Sequence, residues 1–258
     1  MKNGCSFFFK WYLVLLFLVT LLLFYVPILL FLLQDKTKKK AFPLFVFWCR
    51  LLCFLAGYRV KPKHAFSVPE GPCIFIANHT SFLDIVFMYL LFPKHPFLFL
   101  GKAELLKVPL VKTFFKRLHI PVYRNKGGRN AHKALEAADK ALKQGWSIII
   151  FPEGGIKEHL VPVLQVFKDG AFRLAKNNQV PIVPITFMNN YELLEDPAVR
   201  QSVARPGTAQ VVVHPIIDAI TVTNTELEDL KLNAFETINT PFLSKSKWNK
   251  RKVFKSLE

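Results

Sequence analysis

The sequence predicts an α/β fold: a largely parallel central sheet flanked by helices, preceded by an N-terminal apolar helical membrane segment. Two observations predict it. After Gly57, short apolar runs alternate with stretches of helical period, which is typical of parallel sheets covered by helices. Before Gly57, long apolar stretches dominate. We therefore divide the chain into N-terminal membrane-anchoring helices, residues 1–57, and one catalytic domain, residues 58–258.

An apolar run near the amino terminus is long enough to cross a bilayer. It extends from Trp11 to Leu33 without a charge, and about 20 apolar residues suffice to span the hydrocarbon core as a helix. The run is too long for a signal peptide and no small-residue cleavage site follows it, so we expect it to remain on the protein. A second stretch, Ala41–Gly57, contains Arg50 and is better suited to an interfacial amphipathic helix.

Lysines lie on both sides of the first apolar run, which leaves two arrangements open. Positive charge favours the cytoplasmic side of a membrane. The denser cluster, four lysines within residues 36–40, therefore favours a catalytic domain that faces the cytoplasm. A hairpin bent near Pro27 and held in one leaflet would instead satisfy both flanks.

The charge of the chain is strongly positive, with 35 Lys and Arg against 18 Asp and Glu, or +17. Such an excess suits nucleic acid or anionic lipid headgroups. Much of it flanks apolar segments and no nucleic-acid-binding motif occurs, so we expect membrane lipids and no nucleic acid as partners. A basic, membrane-tethered binding protein without catalysis stays an alternative. The cysteines and histidines lack metal-ligand spacing, so we expect no metal.

Strands and helices are predicted from the apolar patterns of the remaining chain. The strands are Cys73–Ala77, Phe97–Leu100, Ile120–Tyr123, Ser147–Phe151, Ile182–Phe187 and Gln210–His214. The helices are Ser81–Leu91, Ala103–Leu118 with a break at Pro109, and Arg129–Lys143 with a stop at Gly145.

Polar residues follow four successive predicted strands, and in open α/β sheets ligands bind where strands end. These residues are Asn78-His79, Lys102, Arg124 and Pro152-Glu153-Gly154-Gly155. The convergence predicts a functional site at one rim of the sheet.

The spacing of His79 and Asp84 restricts how the two side chains can meet. Five residues turn an ideal helix by about 500°, which leaves the side chains about 140° apart. His79 must therefore lie in the loop before a helix, and Asp84 in its first turns, with Thr80 or Ser81 as the N-cap. The carboxylate would fix the imidazole tautomer and make His79 a general base. The alternative is a capped surface histidine, with Asp84 favouring the helix N-terminus.

A serine nucleophile is a rival for the same chemistry. Ser81 lies beside His79, but no Gly-x-Ser-x-Gly elbow occurs in the chain. Direct attack by a substrate hydroxyl needs no enzyme nucleophile, which fits a transferase.

Six blocks between Gly71 and Ile185 resemble, in their order, the glycerolipid acyltransferase family and most closely its 1-acylglycerol-3-phosphate acyltransferases. The blocks are Asn78-His79-x4-Asp84, Gly101-Lys102-Ala103-Glu104-Leu105, Ile120-Pro121-Val122-Tyr123-Arg124, Phe151-Pro152-Glu153-Gly154, Phe167-Lys168-x-Gly170-Ala171 and Val180-Pro181-Ile182-Val183-Pro184-Ile185. Any one block is a weak signal, whereas the ordered set is specific.

The resemblance implies acyl transfer from acyl-CoA or acyl carrier protein to the 2-hydroxyl of lysophosphatidate, which forms phosphatidate in phospholipid biosynthesis. It makes His79 the general base that deprotonates this hydroxyl, and Asp84 the group that orients His79. It implies that Arg124, supported by Lys102, holds the substrate phosphate, and that Glu153 and Gly154 shape the glycerol-phosphate end. Further substrate-binding residues are Asn78 and Lys168. No metal or organic cofactor is implied.

One departure from the family concerns the acceptor. Family members usually continue the third block as Gly-Thr-Arg, whereas this chain has Gly154-Gly155-Ile156-Lys157. The missing Thr and Arg leave acyl transfer intact but open the acceptor to other lyso-lipids, with Lys157 as a possible replacement cation.

Overall fold

The central sheet contains seven strands in the computed structural model, which describes residues 2–63, 68–123, 128–195 and 202–244. The strands are β1 (Tyr58–Lys63), β2 (Ile74–Ala77), β3 (Phe97–Lys102), β4 (Ile120–Val122), β5 (Ser147–Ile150), β6 (Ile182–Phe187) and β7 (Gly207–Val213). Their order is β1-β7-β6-β2-β5-β3-β4, and all neighbours are parallel except β6 and β7. The predicted largely parallel sheet is confirmed.

One strand escaped prediction because it lacks an apolar run. β1 reads Tyr-Arg-Val-Lys-Pro-Lys, and its burial falls from a buried Tyr58 to exposed residues at its end. It pairs with β7 on one side only and forms an edge of the sheet. Charged residues and proline are common on edge strands, which they protect from pairing with other chains.

Helices flank the sheet. They are α1 (Lys2–Leu32), α2 (Lys38–Leu55), α3 (Leu83–Leu91), α4 (Val111–Leu118), α5 (Gly128–Lys143), α6 (Gly170–Asn178), α7 (Asn190–Leu193), α8 (Ala219–Asn224) and α9 (Leu227–Ser244). The break predicted at Pro109 is confirmed, because a 3₁₀ helix ends at Lys107 and α4 begins at Val111. The stop at Gly145 is also confirmed, since this glycine has a φ of +77° after α5.

The two N-terminal helices form an antiparallel pair. The Tyr12 hydroxyl donates to the Leu55 carbonyl at 2.9 Å, and the Phe24 ring stacks on Trp48 at 6.2 Å. The chain reverses at residues 33–37, whereas α1 continues through Pro27. The chain therefore reverses after Pro27 and not at it, and the buried Ile28 and Leu32 continue the packed side of α1 beyond the proline. The arrangement of both helices in one leaflet stays a prediction.

One face of α1 is exposed and apolar. The other face of α1 packs against the protein, and its buried residues Leu21, Phe24, Ile28 and Leu32 recur at helical spacing. The exposed face carries many leucine, valine and aromatic side chains. Ser6–Leu32 is long enough to cross a membrane, and its most apolar 18-residue window has a mean hydropathy of 3.0 with 22% of the window buried. This helix indicates association with a membrane.

The apolar face of α2 is buried by protein. Phe42 is 2% exposed and meets the Phe97 ring edge-on at 5.0 Å, and Phe45 stacks on Tyr89 at 5.8 Å. The interfacial helix expected over residues 41–57 therefore covers the core of the domain, with Arg50 exposed on its outer side. The division of the chain at residue 57 stays a prediction.

Replacing Phe42 with alanine tests whether α2 is part of the core. Truncation of a buried phenylalanine costs about 3–5 kcal/mol, so thermal unfolding of Phe42→Ala in detergent should begin at a clearly lower temperature. Phe54→Ala is the matched control on the same helix, because Phe54 is 80% exposed. Equal shifts for the two variants would contradict the packing of α2 onto the sheet.

Candidate active site

His79 and Asp84 meet where the sequence spacing requires. His79 lies in the loop after β2, and Asp84 lies in the first turn of α3. The His79 Nδ1 atom is 2.9 Å from Asp84 Oδ2, and the side chains are 13% and 0% exposed. Because this carboxylate oxygen accepts, the imidazole proton belongs on Nδ1 and Nε2 is left able to accept one.

The Asp84 carboxylate accepts hydrogen bonds from four groups. Besides His79, the backbone N–H groups of Thr80 and Ser81 donate to Oδ2 at 2.7 and 3.0 Å. The Asn190 side-chain amide donates to Oδ1 at 2.6 Å from the start of α7. Hydrogen bonds to a charged acceptor are strong, and a buried carboxylate needs them. The position of Asp84 is thereby fixed from two separate parts of the chain.

Ser81 links the start of α3 to the residue that follows α7. Its hydroxyl accepts from the Leu83 N–H at 3.1 Å and donates to the Leu194 carbonyl at 2.6 Å. The N-cap residue of α3 is Phe82, which makes no side-chain cap hydrogen bond, so the prediction of Thr80 or Ser81 as the N-cap is wrong. A hydroxyl proton engaged with a carbonyl is not available to a general base, which argues against a Ser81 nucleophile.

Two residues after β5 hold His79 from other directions. The Phe151 ring stacks on the imidazole with centroids 4.0 Å apart and planes at 13°. The Glu153 Oε1 atom accepts from the His79 backbone N–H at 2.8 Å. The ring face, the ring edge and the backbone of His79 are all fixed by contacts.

Glu153 connects His79 to a second segment. Its Oε2 atom accepts from the Gln165 N–H at 2.8 Å, and the residue is 8% exposed. Burial raises the pKa of Glu153 to about 7, although its backbone hydrogen bonds act to lower it. This residue, predicted to bind substrate, lies at the site with both oxygens bonded to backbone.

Gly154 and Lys168 lie against each other beside Glu153. Gly154 has a φ of +84°, and a Cβ there would be 2.8 Å from the Lys168 ammonium nitrogen. The backbone N–H of Lys168, an exposed residue, donates to the Pro152 carbonyl at 3.0 Å. Glu153, Gly154 and Lys168 were all predicted to bind substrate, and the structure places them next to one another.

The other predicted substrate-binding residues have different surroundings. The buried Asn78 amide exchanges two hydrogen bonds with the Phe187 backbone, at 3.0 and 2.8 Å, and joins the ends of β2 and β6. Lys102 ends β3 beside Val122 of β4, and its side chain lies outside the described part. Arg124 also lies outside the described residues, directly after Tyr123.

Asn190 and Gln165 are site residues that the sequence did not single out. Asn190 follows the predicted strand Ile182–Phe187, so the strand-end rule applied to His79 would have found it. Gln165 contacts Glu153 through its backbone N–H. Almost any residue could make this contact, so the residue type does not reveal it.

The cleft at His79 is narrow. Its volume is about 10 Å³, and Lys157 and residues 161–165 line it together with Asn78, His79, Thr80 and Glu153. Such a space holds about one water molecule. Within the described ranges, no group of three or more His, Cys, Asp or Glu side chains is arranged to hold a metal ion.

Comparison with known proteins identifies the family. Residues 59–188, just over half of the chain, match the acyltransferase family. The chain belongs to that family. The matched residues extend from β1 to the end of β6 and include His79, Asp84 and Glu153.

Named relatives in this family are similar over parts of their length. The chain is 33% identical over 147 residues to a 1-acyl-sn-glycerol-3-phosphate acyltransferase of Chlamydomonas reinhardtii, covering 57% of this chain and 42% of that protein. It is 30% identical over 179 residues to the Pseudomonas aeruginosa enzyme of that name, covering 67% and 66%. The chain thus spans less than half the length of the algal relative.

A solved structure shows the same fold. PlsC, the 1-acyl-sn-glycerophosphate acyltransferase of Thermotoga maritima, superposes with a TM-score of 0.77 at 22% identity. The match covers 97% of this chain and 100% of that chain, so the N-terminal helices belong to the shared architecture.

The raised pKa of Glu153 predicts a pH-dependent stability. Because its folded pKa of about 7 exceeds the ordinary value of 4.5, its contribution is full below pH 4.5 and is lost as the pH rises through 7. The unfolding free energy should fall by up to about 3 kcal/mol over this window. Glu153→Gln should remove that fall in thermal unfolding series in detergent.

Glu236→Gln is the matched control for Glu153→Gln, because it removes the same charge from an exposed position on α9. It should retain the pH slope of the unchanged protein. An unaltered slope in Glu153→Gln would show that the carboxyl is ionised throughout.

Proposed function

We propose that this chain transfers a fatty acyl group from acyl-CoA or acyl carrier protein to the 2-hydroxyl of 1-acylglycerol-3-phosphate, forming phosphatidate. The observation that carries the proposal is the contact of His79 with Asp84, at 2.9 Å, inside the family's matched region. The names of its relatives support the acceptor.

The chemistry follows from the free nitrogen of His79. Nε2 removes the proton of the acceptor hydroxyl while its oxygen attacks the thioester carbonyl carbon. The C–O bond forms, the C–S bond breaks, and the imidazolium returns the proton to the leaving thiolate. The Asp84 carboxylate stabilises the imidazolium, and the Phe151 ring supports it through a cation–π contact.

Basic residues around the cleft support a phosphorylated acceptor. Lys157 lines the cleft, and the Lys168 side chain lies against Gly154, next to the cleft residue Glu153. Lys102 is the last residue of β3, and Arg124 comes after the neighbouring strand β4 in the sequence. An Arg guanidinium suits bidentate contact with phosphate oxygens, and Lys supplies point charges. Because Gly155 and Ile156 replace the family's Thr and Arg, another lyso-lipid is the second candidate acceptor.

The cleft lined by His79 and residues 161–165 is smaller than the substrates. A volume of about 10 Å³ is far too small for a glycerol phosphate and a thioester. Residues 161–165 are held by the Glu153 contact to Gln165 and by the 3.4 Å contact of Lys157 with the Gln165 side chain.

The substrates are lipids, and the membrane supplies them. The exposed apolar face of α1 provides attachment to the bilayer. The basic cluster at the start of α2 favours a catalytic domain that faces the cytoplasm, where acyl donors are made.

A product analysis tests the proposal. The purified protein is incubated with lyso-acceptors of different headgroup and with acyl-CoA or acyl carrier protein, and products are identified by mass spectrometry. We expect phosphatidate from lysophosphatidate, and loss of most of the turnover in His79→Ala, because general-base catalysis contributes about 10²–10⁴-fold.

His132→Ala is the matched control, because His132 is a surface histidine of α5. It should keep wild-type turnover. A non-catalytic lipid-binding protein would form no product with any acceptor, and unchanged turnover in His79→Ala would contradict the mechanism.

Replacement of Arg124 tests the phosphate role. A hydrogen bond to a charged group contributes about 1.5–3 kcal/mol, so Arg124→Ala should raise the KM for lysophosphatidate by roughly 10- to 100-fold. Monoacylglycerol, which lacks the phosphate, should show no such change in residual activity. An unchanged KM for lysophosphatidate would remove Arg124 from the phosphate site.

A further inference from the structure

The loop that carries His79 has most of its hydrogen-bond donors engaged. The backbone N–H of His79 donates to Glu153, and those of Thr80 and Ser81 donate to Asp84. All three distances lie between 2.7 and 3.0 Å. These backbone amides hold the catalytic side chains in place, so they are not free to bind a substrate oxygen.

The side chains of this loop are also engaged, with one exception. Asn78 is bonded to the Phe187 backbone, and the Ser81 hydroxyl donates to the Leu194 carbonyl. The Thr80 hydroxyl is buried and has no hydrogen-bond partner in the described part of the chain. Thr80 is 5% exposed and lines the same cleft as His79.

A buried hydroxyl without a partner carries a cost. An unsatisfied buried polar group costs about 1–3 kcal/mol, and such groups in a folded protein call for a reason. Acyl transfer supplies one, because the thioester carbonyl oxygen becomes negatively charged in the tetrahedral intermediate and needs a donor.

We propose that Thr80 is a catalytic residue whose hydroxyl donates a hydrogen bond to the carbonyl oxygen of the acyl thioester as it becomes an oxyanion. The inference rests on the proposed acyl transfer. His79 and Thr80 are consecutive, so the base and the oxyanion donor are presented to one reacting carbon from one loop. The threonine proton stays on its oxygen throughout, while the acceptor proton passes through His79 to the leaving thiolate.

A pair of variants separates the effect of the Thr80 hydroxyl from that of the side-chain volume. Thr80→Val replaces it with a methyl group of similar size, and Thr80→Ser keeps it. We expect Thr80→Val to lower kcat by about 10²–10³-fold, the effect typical of losing one oxyanion donor, with KM for both substrates little changed. Thr80→Ser should retain most of kcat. In the same samples, the melting temperature of Thr80→Val should be equal to or above that of the unchanged protein, because valine buries no unpaired polar atom.

Thr80→Ala provides a second comparison in case valine disturbs the fold. Alanine and serine at this position differ by the hydroxyl alone, so kcat should again be about 10²–10³-fold lower for alanine. A purely structural threonine would give the opposite pattern, in which kcat follows the melting temperature. Wild-type kcat in Thr80→Val, or equal kcat in Thr80→Ala and Thr80→Ser, would overturn the assignment.

The failure of the proposed function would look different. If the unchanged protein forms no acylated product from any acceptor, acyl transfer itself is wrong. If the unchanged protein is active and the hydroxyl-deleted variants keep its kcat, only the role of Thr80 is wrong.

Discussion

The carboxylate of Asp84 has no exposed surface, and the geometry of the site depends on how this buried charge is stabilised. A buried charge is costly unless it is paired and hydrogen-bonded. Here four N–H groups converge on it, three from His79, Thr80 and Ser81 and one from Asn190. The same loop conformation that brings the Thr80 and Ser81 N–H groups to the carboxylate also brings the His79 ring to it, so the buried charge and the orientation of His79 are coupled.

The order of the strands supplies the rest of the support. β2 lies between β6 and β5, so the His79 loop has a neighbour on each side. On the β6 side, Phe187 holds Asn78 and Asn190 holds Asp84. On the β5 side, Phe151 stacks on the imidazole and Glu153 holds the loop backbone. A parallel arrangement brings the ends of all three strands to one rim, which is why consecutive sequence blocks assemble into one site.

Much of the fold was predictable because the central strands are buried on both faces. β2, β5 and β6 are buried along their whole length and are apolar except for Ser147 and Thr186. The edge strand β1 has no such pattern, and the antiparallel direction of β7 leaves no mark in hydrophobic periodicity. The sequence did not predict that α2 packs against the sheet. An apolar helix face has the same residue pattern whether lipid or a protein side chain such as Phe97 covers it.

The site was predictable where local geometry decided it. The angle between successive helix residues placed His79 before α3 and Asp84 within it, and the structure agrees. The partner Asn190 is 106 residues from Asp84, and such a contact is set by tertiary packing. The Phe187 backbone accepts one hydrogen bond from Asn78 and donates another to it, and the Gln165 N–H donates to Glu153. Backbone contacts of this kind carry no signal in the residue type.

The charge of Asp84 is tested most directly by the turnover of Asp84→Asn in the acyltransferase assay. Asparagine keeps the shape of the side chain, and Asn190, whose Oδ1 has no partner in the described part of the chain, can rotate its amide to accept from it. The variant should therefore fold with its hydrogen bonds intact and lose the negative charge that stabilises the His79 imidazolium. The account predicts a turnover at least about 100-fold lower at an unchanged melting temperature. Near-wild-type turnover in Asp84→Asn would contradict it.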